Sequence, residues 1–381
     1  MPVDKIQFGT QIWTGESALD GLDEIKGKRI FLVTDPFMVE SNNIEQITKH
    51  IDDNNEVKIF SQIKPDPPIS EIVVGIEALK EFKADLLIAV GGGSAIDATK
   101  AMKFFVAHAV KDNSKLDLIV IPTTSGTGSE VTNFAVITND EKGVKYPLVT
   151  DEILPQIAIL DANLVESAPQ KVTVDTGMDV LTHCLESYVS INANDFSDAL
   201  AEKGFQMVFT YLERVSENGS DMEARRKMHN ASCIAGMAFN LVNLGLNHGI
   251  AHAAGAQYHI AHGRLNTILM PHIISYNAEM ETGVMKEPNR AAKKYANLAR
   301  LIGIHVANPK IAVRSLINAI VQLRKRLKMP ATLSECGVKQ DFFEETKASI
   351  SSAALKDGTT TTNPRQPSQA EVEKILEDSY I

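Results

Sequence analysis

The residues best able to do chemistry in this chain are a crowd of histidines and one aspartate. His248, His252, His259, His262 and His272 lie close together, out of ten histidines in all. Upstream, Asp179 and His183 stand four apart in VTVDTGMDVLTHCLESYVS, a segment whose apolar spacing predicts a helix. Residues at i and i+4 share a helix face, about 5–6 Å apart at Cβ, which suits two ligands of one ion. His248 and His252 repeat that spacing in HGIAH, and His262 follows beside Gly263. HGIAH invites comparison with the H-E-x-x-H of metalloproteases, but Gly249 stands where the general-base glutamate belongs, so that reading fails. A carboxylate with imidazoles suits Fe²⁺ or Zn²⁺, and Mn²⁺ can share such ligands. The three cysteines, Cys184, Cys233 and Cys336, have no C-x-x-C spacing and predict neither a disulfide framework nor a thiolate zinc site. His50, His108, His229 and His305 read as surface or core polar packing.

A second set of residues suits a phosphate. The apolar run ADLLIAV leads straight into GGGSAIDATKAMKFF. A strand, glycines and then a helix let backbone approach a phosphate, and the helix N-terminus offers it free N–H groups. Ser94 and Asp97 fit a variant of the capping box, with Ser94 as N-cap and Asp97 three residues on. The run LDLIVIP then ends in PTTSGTGSE, a loop rich in hydroxyls and glycine at the end of a strand where open α/β sheets bind ligands. The pattern is not the Rossmann G-x-G-x-x-G after a first strand, since the strand at 28–34 ends in VTDPF, nor is it a P-loop. Asp35 in VTDPF suits ribose hydroxyls and repels a 2′-phosphate, which favours NAD over NADP.

These residues need a scaffold, and the chain supplies two kinds. Strands are expected at 28–34, 56–60, 84–90, 116–122, 134–138 and 156–161, with helical segments such as ISEIVVGIEALKEF between the early ones. That alternation predicts an α/β domain with a parallel, Rossmann-like sheet, and its apolar strands fit a sheet covered on both faces. From Pro169 the β-branched runs thin out and helical spacing takes over, so 1–168 reads as an α/β nucleotide-binding domain and 169–381 as an all-helical domain. The segment KDGTTTTNPRQPSQAEVEKILEDSY reads as a polar loop and a last short helix. A net charge of -10 argues against a nucleic-acid partner. No basic stretch followed by an apolar run opens the chain, and the apolar runs fall far short of the roughly 20 residues of a membrane helix. The expectation is a cytoplasmic protein with no membrane partner.

Taken together, VTDPF, GGGSAID, PTTSGTGSEVT, MDVLTHCLESYVS and HGIAHAAGAQYHIAHGRLNTILMPH resemble the iron-containing alcohol dehydrogenase family (group III) over nearly the whole length. The variant is most similar to the short-chain primary alcohol (propanol and ethanol) dehydrogenases. The resemblance implies a dehydroquinate synthase-like architecture. It implies a metal, Fe²⁺, held by Asp179, His183, His248 and His262, with His252 in the pocket rather than on the metal. It implies NAD(H) held through Gly92, Gly93, Ser94, Thr123 and Thr124, with Asp97 and Thr127 in the same motifs. Asp35 resembles the ribose-binding acid and Lys145 the lysine near the nicotinamide ribose, while Asp66 stands where the family often has Asn. Ala253 replaces a proline common in the family and His259 is added, which puts the pocket shape in question and leaves the spacing of His248 and His262 intact.

The implied reaction interconverts small alcohols and aldehydes by hydride transfer to or from nicotinamide C4, with the cation polarising oxygen and His252 as candidate proton relay. The family also implies a homodimer or higher oligomer. Within it, a glycerol or diol dehydrogenase and a lactaldehyde reductase are alternatives. A dehydroquinate synthase-like lyase is more distant, since it needs a cluster of basic residues for a phosphorylated acid and these motifs offer only Lys145 and Arg264.

Overall fold

The computed structural model describes residues 6–109, 116–140, 144–283 and 285–381. The chain divides into two compact units, Met1–Ser167 and Ala168–Ile381. The first is built from β1 (Gln11–Thr14), β2 (Arg29–Val33), the short helices α1 (Pro36–Glu40) and α2 (Glu45–Thr48), β3 (Glu56–Phe60), α3 (Ile69–Phe82), β4 (Leu86–Gly91), α4 (Gly93–Ala109), β5 (Asp117–Pro122), β6 (Phe134–Asn139), β7 (Val144–Val149) and β8 (Ile157–Leu160). Six strands pair in the order β1-β8-β5-β4-β2-β3, all parallel.

Alternation along these strands explains why both faces are covered. Phe31, Val33, Leu87, Ala89, Leu118 and Val120 pack with α3 and α4 residues such as Ile72, Leu79, Ile96 and Met102. Their neighbours Ile30, Leu32, Ile88, Val90, Ile119 and Ile121 point the other way, onto Leu22, Met38, Ile44 and Ile47. A strand with helices on both sides has no polar face to show, hence the near-continuous apolar runs.

Two features depart from the sequence reading. The strand expected at 134–138 is not part of the parallel sheet; it is β6, paired antiparallel with β7 in a separate two-stranded ribbon. The alternating burial of β6 fits a ribbon with one wet face, and Pro147 in β7 suits an edge rather than a sheet centre. The other departure is β1, a four-residue edge strand whose polar ends, Gln11 and Thr14, hide it. VTDPF therefore follows the second strand of the chain.

The second unit is helical: α5 (Gln170–Val189), α6 (Asp195–Glu217), α7 (Met222–Val242), α8 (Leu246–Tyr258), α9 (His262–Asn277), α10 (Arg290–Leu301), α11 (Pro309–Arg326), α12 (Gln340–Lys356) and α13 (Gln369–Asp378). Helix α5 is buried on every side from Gly177 to Val189, as befits the centre of a helical core. Gly204 of α6 lets that helix close on it: a Cβ there would meet Cys184 Sγ at 2.7 Å. The segment read as a polar loop is partly buried, with Thr360, Thr362 and Asn363 inside the unit. Its polar groups are satisfied there, Thr362 Oγ1 donating to the Leu244 carbonyl at 2.7 Å and Asn363 Oδ1 accepting from Leu246 N at 3.2 Å. Among the described residues no helix is long and apolar enough to cross a membrane.

Candidate functional site

In the first unit the two glycine-bearing loops meet. Gly91 ends β4 at φ +147°, a conformation that favours glycine, and a Cβ there would lie 2.8 Å from Ala95 Cβ and 3.3 Å from Asp35 Oδ2. A Cβ on Gly92 would stand 3.3 Å from Thr124 Cγ2, and one on Gly93 2.9 Å from Thr127 Cγ2. The loop after β5 is tied to the loop after β4 by Thr123 N donating to the Gly91 carbonyl at 2.9 Å. Asp35 caps α1, its Oδ1 accepting from Met38 N at 3.1 Å while Oδ2 faces Gly91. Ser94 Oγ accepts from Asp66 N at 3.2 Å, and Asp66 in turn pairs with Lys145 Nζ at 2.5 Å on the surface. The structure thus gathers Asp35, Asp66, Gly92, Gly93, Ser94, Thr123, Thr124, Thr127 and Lys145 around one helix N-terminus.

Asp97 does not complete a capping box. Helix α4 begins at Gly93, and the Asp97 carboxylate turns to Ser129 Oγ at 2.7 Å and Val136 N at 2.9 Å. One turn on, the buried Lys100 donates to the Ser129 carbonyl at 2.6 Å, the Thr132 carbonyl at 2.8 Å and the Phe134 carbonyl at 2.9 Å. Asp97 and Lys100 thereby clamp the segment after PTTSGTG onto α4. Burial pulls the Lys100 amine down to about 8 against the attraction of Asp97 and Glu130, and pushes the Glu130 carboxyl up to about 7. Sequence reading passed over Lys100; its signal is the i, i+3 spacing from Asp97 in a helix whose inner face is apolar.

In the second unit, α5, α8 and α9 converge. Helix α5 carries Asp179, His183 and Glu186, at i, i+4 and i+7, on one buried face. Helix α8 starts above Glu186: a Cβ on Gly245 would be 2.8 Å from Glu186 Oε1 and 2.9 Å from Asn363 Oδ1. Glu186 Oε1 accepts from Asn247 N at 2.6 Å, satisfying a first-turn N–H that the helix cannot. Glu186 Oε2 makes a short hydrogen bond with His248 Nδ1. With Nδ1 so engaged, His248 turns its Nε2 inward as an acceptor. Burial raises Glu186 to about 8 despite the N–H groups of Asn247, His248 and Gly245. Burial, with His183, His262 and His252 beside it, holds His248 well below the usual imidazole range, in the neutral form that ligates metal.

Helix α9 begins at His262 and needs the next residue to be glycine. A Cβ on Gly263 would lie 2.0 Å from the Asp175 carbonyl and 3.1 Å from Asp179 Cβ. Arg264 fixes the same contact through a fork onto Asp175, Nε to Oδ1 at 3.1 Å and Nη2 to Oδ2 at 2.8 Å.

The result is a tight group. Ligand atoms of Asp179, His248 and His262 lie within 4.8 Å of one another, and Asp179 Oδ1 is 3.7 Å from each Nε2. His183 lies beside it, its ring stacked on His248 at 4.8 Å and tilted against Phe239 at 4.7 Å. His252 lies one ring further out, 5.3 Å from His262, with Nδ1 2.9 Å from Asp357 Oδ2. Burial alone would raise Asp357, but the hydrogen bond and charge of His252 and two donors from Thr359 hold it at about 2. One carboxylate oxygen and two inward imidazole nitrogens turned to one point, with a third imidazole alongside, fit a divalent first-row cation. Glu186, Asn247, Asn266 and Asp357 complete this region without having been singled out in the sequence. Spacing from Asp179 and His262 could have found Glu186 and Asn266; nothing local pairs His252 with Asp357, 105 residues away.

An open parallel α/β unit with glycine loops at its strand ends, followed by a helical unit with an Asp–His cluster, defines the dehydroquinate synthase-like class. Within it, residues 9–162 match the model of iron-containing alcohol dehydrogenase, and residues 173–380 match that of the Fe-containing alcohol dehydrogenase family, C-terminal. The chain belongs to the iron-containing alcohol dehydrogenase family. It is 41% identical to the 1-propanol dehydrogenase of Citrobacter freundii, covering 97% of this chain and 98% of that one. It is 36% identical to an NADPH-dependent butanol dehydrogenase of Clostridium saccharobutylicum, covering 97% and 96%. Among solved structures, a 1,3-propanediol oxidoreductase superposes with a TM-score of 0.89 at 30% identity, over 99% of this chain and 100% of that one. A sulfoacetaldehyde reductase from Bifidobacterium kashiwanohense, in complex with NAD+, superposes with a TM-score of 0.86 at 26% identity, over 100% and 99%.

Proposed function

We propose that this alcohol dehydrogenase is NAD(H)-dependent, uses a divalent metal, Fe²⁺ in the first instance, and interconverts short-chain primary alcohols and aldehydes. The observation that carries the metal is the convergence of Asp179, His248 and His262, backed by Glu186. The 1-propanol relative supports the substrate class. Asp35, with Oδ2 against Gly91, supports NAD, because a carboxylate there welcomes ribose hydroxyls and repels a 2′-phosphate. On this reading 1–168 binds the nucleotide and 169–381 holds the metal and substrate. By family analogy the chain works as a homodimer or a larger oligomer.

When bound, the cation supplies Lewis acidity toward the substrate oxygen and the nicotinamide supplies the hydride acceptor. The chain supplies position. Glu186 sets the tautomer of His248, and the Gly263 contact sets His262 against Asp179. Asp357 holds His252 by Nδ1, leaving Nε2 of that ring to take up or give the proton that accompanies hydride transfer. The lyase reading loses ground, since Lys145 is paired with Asp66 and Arg264 with Asp175.

A panel of alcohols and aldehydes, run with NAD and with NADP on metal-defined protein, tests this reading. The expected result is NADH formation with 1-propanol that a chelator abolishes and Fe²⁺ restores. Turnover that survives chelation, or a requirement for NADP, refutes the corresponding part. The tight group of one Asp and two His also fits a glycerol-type site with three ligands. Two variants separate the roles. His183→Ala loses metal if the site uses all four residues and keeps it if three suffice. His252→Ala keeps the metal and changes the pH profile; full turnover with an unchanged profile removes the relay.

A further inference from the structure

Asn266 is fully buried, four residues after His262 on α9, and none of the readings above uses it. Its Nδ2 lies 2.7 Å from Asp179 Oδ1, 3.2 Å from His248 Nε2 and 3.1 Å from His262 Nε2. These are the same three atoms that make up the candidate metal group. Its Oδ1 accepts from Asn247 Nδ2 at 2.7 Å, and its carbonyl lies 3.2 Å from the same nitrogen. Asn247 is itself buried and immediately precedes His248.

The nitrogen of the amide faces the carboxylate. Reversed, its oxygen would meet Asp179 Oδ1, acceptor on acceptor, and its NH2 would meet the NH2 of Asn247 as that side chain is placed. Oriented as found, one nitrogen with two hydrogens to give lies within hydrogen-bond distance of an atom from each of three helices. Asn247 fixes the amide from behind, so the two asparagines couple the position of His248 on α8 to that of His262 on α9 and Asp179 on α5.

We propose that Asn266 is a positioning residue of the metal centre: its amide donates to Asp179 Oδ1, an oxygen that keeps a lone pair for a cation, and so sets that oxygen beside the Nε2 atoms of His248 and His262, while Asn247 holds the amide in place. The proposal rests on the metal reading above. It assigns Asn266 no ligand role and no part in proton transfer. What it fixes is the spacing of the donors that a cation meets, and so the affinity and geometry of the site.

The test is made on the whole chain, loaded with Zn²⁺ or with Co²⁺ as a coloured probe and challenged with a chelator. Asn266→Ala is expected to weaken Zn²⁺ binding by about 10–100-fold, the range for residues that orient metal ligands, and to shift the Co²⁺ absorption bands. Asn247→Ala, which leaves the ligand contacts but frees the amide, moves both readouts the same way by less. Binding of NADH, which belongs to the other unit, and thermal unfolding report whether each variant is folded. If Asn266→Ala does not fold, Asn247→Ala decides. Wild-type affinity and spectrum in the folded variant overturn the proposal, and so does tighter binding, which would mean that the amide competes with the cation. A wild-type chain that holds neither ion defeats the metal reading itself, an outcome distinct from a variant that binds like wild type.

Discussion

Exchanging Glu186 for glutamine is the sharpest perturbation of the metal centre, because it changes charge and hydrogen-bonding capacity with almost no change in shape. In its ionised form both carboxylate oxygens of Glu186 accept, one from Asn247 N at 2.6 Å and the other from His248 Nδ1. A glutamine has one acceptor and one donor for those two places. If its oxygen stays on Asn247, its NH2 meets His248 Nδ1, and the imidazole must give up that proton. The proton then moves to Nε2, the atom turned toward Asp179 and Asn266, and a protonated Nε2 cannot ligate. If its oxygen turns to His248 instead, the Asn247 N–H is buried against a donor. A hydrogen bond to a charged group contributes about 1.5–3 kcal/mol. Holding the correct tautomer without that charge is therefore expected to weaken metal binding by about 10–100-fold, or roughly 1.4–2.7 kcal/mol. The unloaded chain behaves in the opposite sense. Burial raises Glu186 to about 8, from 4.5 in the unfolded chain, so the carboxylate destabilises the fold increasingly as pH rises across that window. The neutral isostere escapes this, and its metal-free Tm at pH 8 is expected to match or exceed wild type. Chelator competition and thermal unfolding on the same samples check the pair of signs. Equal metal affinity in Glu186→Gln refutes the tautomer argument. Lower affinity with an equally lowered metal-free Tm would show that Glu186 acts only as a packing group.

Two further perturbations probe the scaffold around the sites. Gly263→Ala places a Cβ 2.0 Å from the Asp175 carbonyl, so α9 must lift from α5; the expected cost is about 1–3 kcal/mol of stability, with loss of metal because His262 moves with the helix, and retained metal binding would show that the contact can relax. Glu130 in the first unit has its carboxyl raised to about 7 by burial, above its ordinary 4.5. The stability it lends is fully present below about pH 4.5 and is lost as pH rises through 7, so Glu130→Gln is expected to gain in Tm over wild type with increasing pH, and a pH-independent difference refutes the assignment.

What the sequence disclosed of the fold and the site follows the range over which each contact acts. Helix periodicity is local, so the shared face of Asp179 and His183 was legible, and Glu186 one turn on could have been read by the same rule. The glycine loops were legible because φ +147° at Gly91 and a helix starting at Gly93 leave their mark in the type of residue. Partnership between elements was not. Asp97 has the spacing of a capping residue, yet Ser129 and Val136 claim its carboxylate, because a buried acid takes the donors that reach it rather than those nearest in sequence. FAVIT has the composition of a sheet strand, yet it pairs with a strand that carries Pro147, and only that partner puts it in a ribbon. The polar stretch after α12 gives the clearest case. TTTTN looks solvated by composition, but Gly249 of α8 leaves room for Thr360, whose Oγ1 would lie 2.1 Å from a Cβ there, and Asp357 reaches His252. Polarity at Asp357, Thr360, Thr362 and Asn363 answers to the backbone and the imidazole beside them rather than to water. A glycine on one helix and a threonine more than a hundred residues later thus encode one contact, and neither signals it alone.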